Sequence, residues 1–179
     1  NKKGRHGIVH CQITNPRILE KMKEQDLLAY IQPVFIDLDM NTVEPAVGAR
    51  RMDKIYAWKS MLDMGIHASG GSDAPVVSFD AMENIYFAVT RKNIKGQPEE
   101  GWIPSEKMSV DEAVKLFTKN AAYASYTEKE NGTIETGKNA DLVVLEKDIY
   151  SIDPDEIKTV KVDMTVLGGE IVYEREVEE

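Results

Sequence analysis

The chain has 179 residues, 42% of them hydrophobic, which suffices for one domain with a sizeable core and at most a small appendage. Its 22 basic and 31 acidic residues give a net charge of −9, which argues against nucleic acid as a partner. The single cysteine, Cys11, excludes an internal disulfide and is typical of a reducing, cytoplasmic compartment. No apolar run approaches the ~20 residues that span a bilayer, so no membrane association is expected.

The first predicted strand runs from Gly7 to Ile13 and a helix follows it. Asn15 is a suitable N-cap and Pro16 a suitable first-turn residue for a helix that continues to about Leu28. Strand alternation would put His10 and Cys11 on opposite faces, which argues against a Cys–His nucleophilic pair. Cys11 is therefore predicted to be a small core residue.

The second predicted unit begins with a strand from Ala29 to Ile36. A polar loop, residues 37–47, separates this strand from a helix that runs from Arg50 to Met64. Gly65 supplies the helix stop.

The third unit has a strand from Ile66 to Ser72, a loop that contains Asp73, and a helix from about Phe79 to Lys92. A loop with several Gly and Pro residues follows. Ser109 and Glu112 then have the spacing of a capping box, which predicts a helix to about Ser125.

The pattern changes near residue 127, where turn residues become frequent. Ala140 to Leu145 and Met164 to Tyr173 are strand-like, and Gly168-Gly169 gives the second stretch a hairpin signal. The predicted organisation is an α/β part, residues 1–127, and a small β part, residues 128–179.

Three strand–helix units cannot close a barrel, and they would leave two unpaired sheet edges. The strands of residues 128–179 are also too few to be stable alone. The chain is therefore expected to be the back portion of a larger protein. Its partner would be the missing N-terminal part of the same protein or another copy of itself.

His10 and Asp73 are the candidates for chemistry, since each follows an apolar strand. Barrel enzymes keep their functional groups at the carboxyl ends of parallel strands. Gly70-Gly71 before Asp73 would let a ligand approach closely. The alternative for Asp73 is a turn in which its side chain caps the following helix.

Spacing separates the three histidines. At ~3.3 Å per residue, His6 lies roughly 13 Å from His10, and His67 lies about 20 Å from Asp73, so neither can share a metal with its neighbour. His6 is interpreted as structural.

Gln32 and Arg51 are candidates for substrate binding near the same edge of the sheet. Gln32 lies in the second strand, where ordinary hydrogen bonding is the competing interpretation. Arg51 opens a helix, where plain solvation competes with contact to an anion or carbonyl.

Seven motifs occur in order along the chain. They are Arg5-His6-x-Ile8-x-His10-x-Gln12, Ile31-Gln32-Pro33, Gly48 to Arg51 with Ser60 to Gly65, Gly71-Ser72-Asp73-Ala74-Pro75-Val76, Ala88 to Arg91, Thr118-x-Asn120-Ala121-Ala122-Tyr123, and Gly132 to Leu145. As an ordered set they resemble the amidohydrolase superfamily, in particular amidohydrolase family 3, a family of metal-dependent amidohydrolases.

The resemblance implies a partial TIM (β/α)8 barrel, with strands six to eight and their helices, plus the C-terminal strands of a small composite β-sandwich. It implies that His10 is a metal ligand and that Asp73 is both a metal ligand and the general base. The family's other ligands, a first-strand His-x-His pair among them, would lie upstream. Val9 stands where the family usually has Glu before the strand-six His.

The function that follows is a metal-dependent hydrolase that cleaves a non-peptide C–N bond, an amide or cyclic amide of a small molecule, with this chain alone inactive. The expected cofactor is a divalent metal, zinc first, with Fe, Mn or Ni also suited to His and Asp ligands. Loops 37–47 and 93–107 would shape the pocket. The alternatives are a degenerate barrel that regulates or binds without turnover, and a purely structural fragment whose edges drive association.

Overall fold

The computed structural model describes residues 4–176 and forms two three-stranded sheets from that part of the chain. The first sheet is parallel with strand order β1-β2-β3, and the second is antiparallel with order β4-β5-β6. The strands are β1 Gly7–Val9, β2 Leu28–Ile31, β3 Ala68–Gly70, β4 Leu142–Leu145, β5 Val162–Leu167 and β6 Glu170–Glu174.

The parallel sheet alternates with helices, as the sequence predicted. Ile8 pairs with Ala29, and Ala29 pairs with Ala68, so the carboxyl ends of all three strands lie at one edge. The α-helices of the described residues are α1 Pro16–Glu24, α2 Phe35–Asp39, α3 Val43–Val47, α4 Trp58–Asp63, α5 Ala81–Thr90, α6 Val110–Phe117 and α7 Lys119–Ala124.

The strands are shorter than predicted because specific residues end them. His10 and Cys11 have φ angles of +67° and +48°, and this left-handed pair stops β1 at Val9. The predicted alternation of faces therefore does not reach His10 and Cys11. The prediction that β2 extends to Ile36 is also wrong, since α2 begins at Phe35.

The segment between β2 and β3 is more helical and more broken than predicted. The polar loop 37–47 contains the end of α2 and all of α3. The single helix expected from Arg50 to Met64 is instead a 3-10 helix, Ala49–Lys54, followed by α4. The break lies at Ile55, which is extended and forms an isolated antiparallel bridge with Ile13.

The predicted helix starts are confirmed at two caps. The Asn15 side chain accepts a hydrogen bond from the N–H of Ile18 at 3.0 Å, at the start of α1. Ser109 and Glu112 form the reciprocal capping box of α6. The helix predicted to reach Ser125 is divided into α6 and α7 at Thr118, whose φ and ψ are −123° and −98°.

The hairpin predicted at Gly168-Gly169 joins β5 to β6, and both glycines have positive φ. Between β4 and β5, a 3-10 helix, Pro154–Thr159, packs against α5. Its buried Ile157 belongs to the same core as Ile85 of α5. The boundary near residue 127 stays a prediction, and the described residues on either side of it share one core.

The parallel sheet is open at the edge that β1 forms. Ile8 and Val9 are 40% and 57% exposed, whereas Ala29 and Ile31 of β2 are fully buried. Within residues 4–176, β1 pairs with β2 alone. No helix in that range combines the length and the apolar character that crossing a bilayer requires.

Candidate functional site

Three predicted site residues follow the three parallel strands at their carboxyl ends. His10 comes directly after β1, Gln32 directly after β2, and Asp73 three residues after β3. The structure brings the first two into contact, with His10 Nδ1 2.8 Å from Gln32 Oε1. With the amide oxygen as the acceptor, this contact favours the tautomer that has its proton on Nδ1 and an electron pair on Nε2.

His10 is held by its backbone as well as its ring. Its N–H donates to the carbonyl of Tyr30 at 2.7 Å, and its carbonyl accepts from the indole N–H of Trp58 at 3.3 Å. The imidazole also packs against Phe35, with ring centroids 5.5 Å apart. These contacts come from β2, from α2 and from α4, so three elements together fix where the imidazole lies.

Cys11 is confirmed as a core residue. It is 5% exposed, and its thiol donates to the carbonyl of Ile8 at 3.2 Å. Burial raises the pKa of the Cys11 thiol to about 11, which keeps it protonated and unreactive near neutral pH.

Asp73 lies in a tight turn, and its side chain is exposed. Its φ is +66°, a conformation that Asp tolerates better than most residues, and its carbonyl accepts from the N–H of Val76 at 2.9 Å. The helix that follows is capped by Asp80, whose side chain accepts from the N–H of Met82 at 2.8 Å. The turn that the alternative interpretation predicted at Asp73 is therefore present. The prediction that the Asp73 side chain caps the following helix is wrong.

The strand order sets the separation of the two candidate metal ligands. His10 and Asp73 follow β1 and β3, and β2 lies between them, so their strands are roughly 10 Å apart, two strand spacings. An imidazole nitrogen and a carboxylate are both ligand types that zinc accepts. Residues 4–176 contain no cluster of three or more His, Cys, Asp or Glu arranged to hold a metal. His10 and Asp73 have the chemistry of metal ligands, but two residues are too few for a metal site, so further ligands would be needed.

Arg51 lies in the 3-10 helix Ala49–Lys54 rather than at the start of an α-helix. Its side chain is exposed, and one guanidinium nitrogen donates to the carbonyl of Val47 at 3.1 Å. This bond anchors the side chain to the end of α3.

The other two histidines lie near the amino ends of the strands. His67 Nε2 is 3.0 Å from the carbonyl oxygen of Asn120, and its ring packs on Tyr123 with centroids 4.3 Å apart. Burial lowers the pKa of His67, so the neutral ring is favoured. His6 is exposed and directly precedes β1.

A partly buried polar cluster next to His10 was not foreseen from the sequence. Asp39 accepts from Gln12 Nε2 at 3.0 Å and also from the hydroxyl of Tyr56. Tyr56 is fully buried, and burial together with the Asp39 carboxylate raises the pKa of its hydroxyl. Gln12 follows His10 by two residues in the first motif, and that spacing was the available signal.

Arg91 extends this cluster towards the loop 93–107. Its guanidinium donates to the carbonyls of Tyr56 at 3.0 Å and Trp102 at 2.9 Å. The same loop is tied to α2, since the N–H of Ile94 donates to Asp37 at 2.7 Å. The two segments predicted to shape a pocket, 37–47 and 93–107, are thus in contact with each other.

Parallel strands that alternate with helices and carry polar side chains at their carboxyl ends are typical of α/β proteins, barrel enzymes among them. The chain belongs to the amidohydrolase family, whose model matches residues 1–173. The resemblance seen in the ordered motifs is thereby confirmed.

The relatives extend this result. YtcJ of Bacillus subtilis, named as an amidohydrolase, is 36% identical over 175 residues, which cover 97% of this chain and 33% of YtcJ. The N-substituted formamide deformylase of Arthrobacter pascens is 37% identical over 122 residues, 68% of this chain and 22% of that protein.

The crystal structure of an uncharacterized metal-dependent hydrolase from Pyrococcus horikoshii matches with a TM-score of 0.75 at 22% identity, over 84% of this chain and 30% of that one. The fold is thus part of an amidohydrolase TIM barrel. The chain spans about a third of the length of YtcJ.

Proposed function

We propose that this chain is the C-terminal portion of a metal-dependent hydrolase that cleaves a non-peptide C–N bond, an amide or cyclic amide, in a small molecule. The observation that supports it best is the 2.8 Å contact between His10 Nδ1 and Gln32 Oε1, which leaves Nε2 with its electron pair at the carboxyl edge of the sheet. A histidine held in this way is the usual form of a metal ligand. The name of the Arthrobacter relative, a formamide deformylase, agrees with C–N cleavage.

In this proposal β1, β2 and β3 are strands six, seven and eight of the barrel. The antiparallel sheet β4-β5-β6 belongs to a small sandwich completed by N-terminal strands. The remaining metal ligands, and the strand beside β1, come from the missing N-terminal part or from another copy of the chain. Because His10 and Asp73 are fewer than the three protein ligands of a catalytic zinc site, this chain alone is inactive.

His10 and Asp73 would hold a divalent cation, zinc in preference to Fe, Mn or Ni. Such a cation supplies Lewis acidity, which polarises the scissile carbonyl and makes water acidic enough to attack near neutral pH. Asp73 takes the proton of the attacking water and delivers it to the leaving nitrogen, so that one water and one amide give one acid and one amine. Exposure leaves its carboxylate free to reach a water.

Two residues are proposed to contact the substrate. Arg51 is exposed, and the guanidinium nitrogens other than the one bonded to Val47 would bind a substrate carbonyl or anion. The Gln32 amide nitrogen lies close to Gly71, being 3.9 Å from the position a Cβ would take there, and would donate to the substrate from the floor of the site.

The test is hydrolysis of a panel of amides and cyclic amides by a protein that also contains the upstream strands, with its metal content measured. Asp73→Asn is expected to lower kcat by about 10²- to 10⁴-fold. Asp80→Asn is the matched control, because Asn caps a helix as well as Asp does and Asp80 serves α5.

Equal activity of the parent and the Asp73→Asn variant would refute the role of Asp73. A metal-free, inactive longer protein without a His-x-His pair would instead favour the degenerate barrel that binds or regulates.

A further inference from the structure

We infer that Gln32 is a positioning residue for His10: it holds the proton of the imidazole on Nδ1 and so selects Nε2 as the nitrogen that binds a metal. The metal half of this inference rests on the proposed function. The hydrogen bond and the choice of tautomer rest on the contact alone.

The position of Gln32 suits it to this work. It directly follows β2, the central strand of the parallel sheet, and only 6% of it is exposed. A buried side chain at the end of a central strand has little freedom to move, so its amide oxygen is a fixed acceptor. An amide oxygen is also uncharged, so it orients the ring without adding charge next to the site.

The ring of His10 has one orientation that satisfies all of its contacts. A turn of the imidazole by half a revolution would remove Nδ1 from Gln32 Oε1, now at 2.8 Å, while Phe35 packs at a centroid distance of 5.5 Å and limits tilting. Trp58 holds the carbonyl of His10 at 3.3 Å, which fixes the left-handed backbone that carries the ring. The orientation is therefore set by protein contacts before any metal arrives.

His67 provides the opposite case in the same chain. Its Nε2 lies 3.0 Å from the carbonyl oxygen of Asn120, an atom that can only accept, so the proton of His67 sits on Nε2. Two ordered histidines of one chain are thus expected in opposite tautomers, and each serves as the reference for the other.

The experiment is a long-range ¹H–¹⁵N spectrum of the chain with labelled histidine, at a pH where the rings are neutral. The chain has three histidines, so single His→Gln variants assign every signal. We expect His10 to carry its proton on Nδ1 and His67 on Nε2. A His10 proton on Nε2 would mean that the Gln32 amide is turned the other way, and would overturn the inference.

The variant Gln32→Met keeps the length of the side chain and removes the acceptor. It is expected to give His10 a mixture of tautomers, with the His67 signals unmoved as evidence of folding. In the longer protein that contains the upstream strands, it is expected to weaken the response of His10 to added zinc about 10- to 100-fold. Gln32→Glu restores an oxygen acceptor and is expected to restore the Nδ1 proton. If Gln32→Met leaves both the tautomer and the zinc response of His10 unchanged, Gln32 merely packs and the inference is wrong.

The zinc arm separates this inference from the proposed function. If zinc, added to the longer protein until the spectrum stops changing, moves other signals but leaves His10 Nε2 in place, the metal role of His10 fails. Gln32 would then still set the tautomer of His10, but His10 Nε2 would not be a metal ligand.

Discussion

Arg91 shows how one buried side chain can organise a loop. It is fully buried and donates to the carbonyls of Tyr56 and Trp102, and its second terminal nitrogen has no hydrogen-bond partner within residues 4–176. Burial lowers the pKa of the Arg91 guanidinium to about 10, while the Glu106 carboxylate opposes this effect. The group still stays charged at neutral pH, so both hydrogen bonds are charge-assisted.

Replacing Arg91 by Lys is therefore expected to be costly. A single ammonium cannot reproduce two donors fixed in one plane, and each charge-assisted bond contributes about 1.5–3 kcal/mol, so we expect a loss of about 2–4 kcal/mol in the free energy of unfolding. Urea denaturation measures it. Arg17→Lys, on the exposed part of α1, is the control and should stay within about 0.5 kcal/mol of the parent.

His67 gives the chain a pH dependence with a definite sign. Burial lowers the pKa of His67 in the folded state, whereas in the unfolded chain it stays near 6.5. The unfolded state therefore binds more protons between the two values, so this contribution to stability is complete above about pH 6.5 and is lost as the pH falls below it.

The measurement is the urea midpoint of the chain across this pH range. We expect His67→Gln, whose amide keeps a donor for the carbonyl of Asn120, to have a flatter profile than the parent below pH 6.5. His6→Gln changes an exposed ring and should leave the profile as it is. Identical profiles for the parent and His67→Gln would show that His67 is not the group responsible.

At the scale of the element, glycines mark where the loop after α5 turns. Gly101 has a φ of +79°, and a Cβ there would lie 2.3 Å from the carbonyl oxygen of Thr90. Gly96 has nearly the same φ, +81°, but a Cβ there would meet nothing within 4 Å. Both positions have a left-handed backbone, but only Gly96 has room for a Cβ atom.

Alanine at these two sites should therefore have unequal effects. Gly96→Ala carries the cost of a left-handed backbone alone, about 1–2 kcal/mol. Gly101→Ala adds a backbone clash that forces the loop away from α5, so its Tm in calorimetry should fall clearly below that of Gly96→Ala. Equal Tm values for the two variants would contradict this account.

The elements that the sequence predicted well are those with local signals. Asn15 and the pair Ser109/Glu112 begin helices where a cap was expected, and Gly168-Gly169 turns the hairpin. These signals work because the hydrogen bonds they form involve neighbours in sequence.

The elements that the sequence did not predict depend on distant partners. The break at Ile55 needs Ile13, and the end of β1 needs two left-handed residues that no local pattern requires. The site behaves in the same way. The motifs identified His10 and Asp73 as candidates. They did not identify the hydrogen-bond partner of His10, because Val9 stands where the family usually has Glu. In the structure Gln32, 22 residues further along the chain, forms the hydrogen bond with His10.

At the scale of the whole molecule, the open edge of β1 predicts self-association. Ile8 and Val9 are exposed on an edge strand, and such edges pair with other chains. We expect the sedimentation coefficient to rise with protein concentration, and Ile8→Lys to suppress the rise, because a charge on the edge opposes pairing.

Ile94→Lys is the matched control, since Ile94 is exposed to the same 40% as Ile8 but lies in the loop after α5. It should associate as the parent does. A parent chain that stays monomeric at every concentration would show that the edge is protected in solution.

The 3-10 helix Pro154–Thr159 determines which segment of the chain can be exchanged with that of a relative. Lys158 lies over the ring of Tyr86 at 4.4 Å and donates to the carbonyl of Ile94 at 2.9 Å, so this helix is matched to the surface of α5. A chimera that exchanges everything after residue 127 would replace one half of that matched pair. Exchanging the hairpin of β5 and β6 alone leaves the pair whole, which makes the hairpin the natural module for grafting.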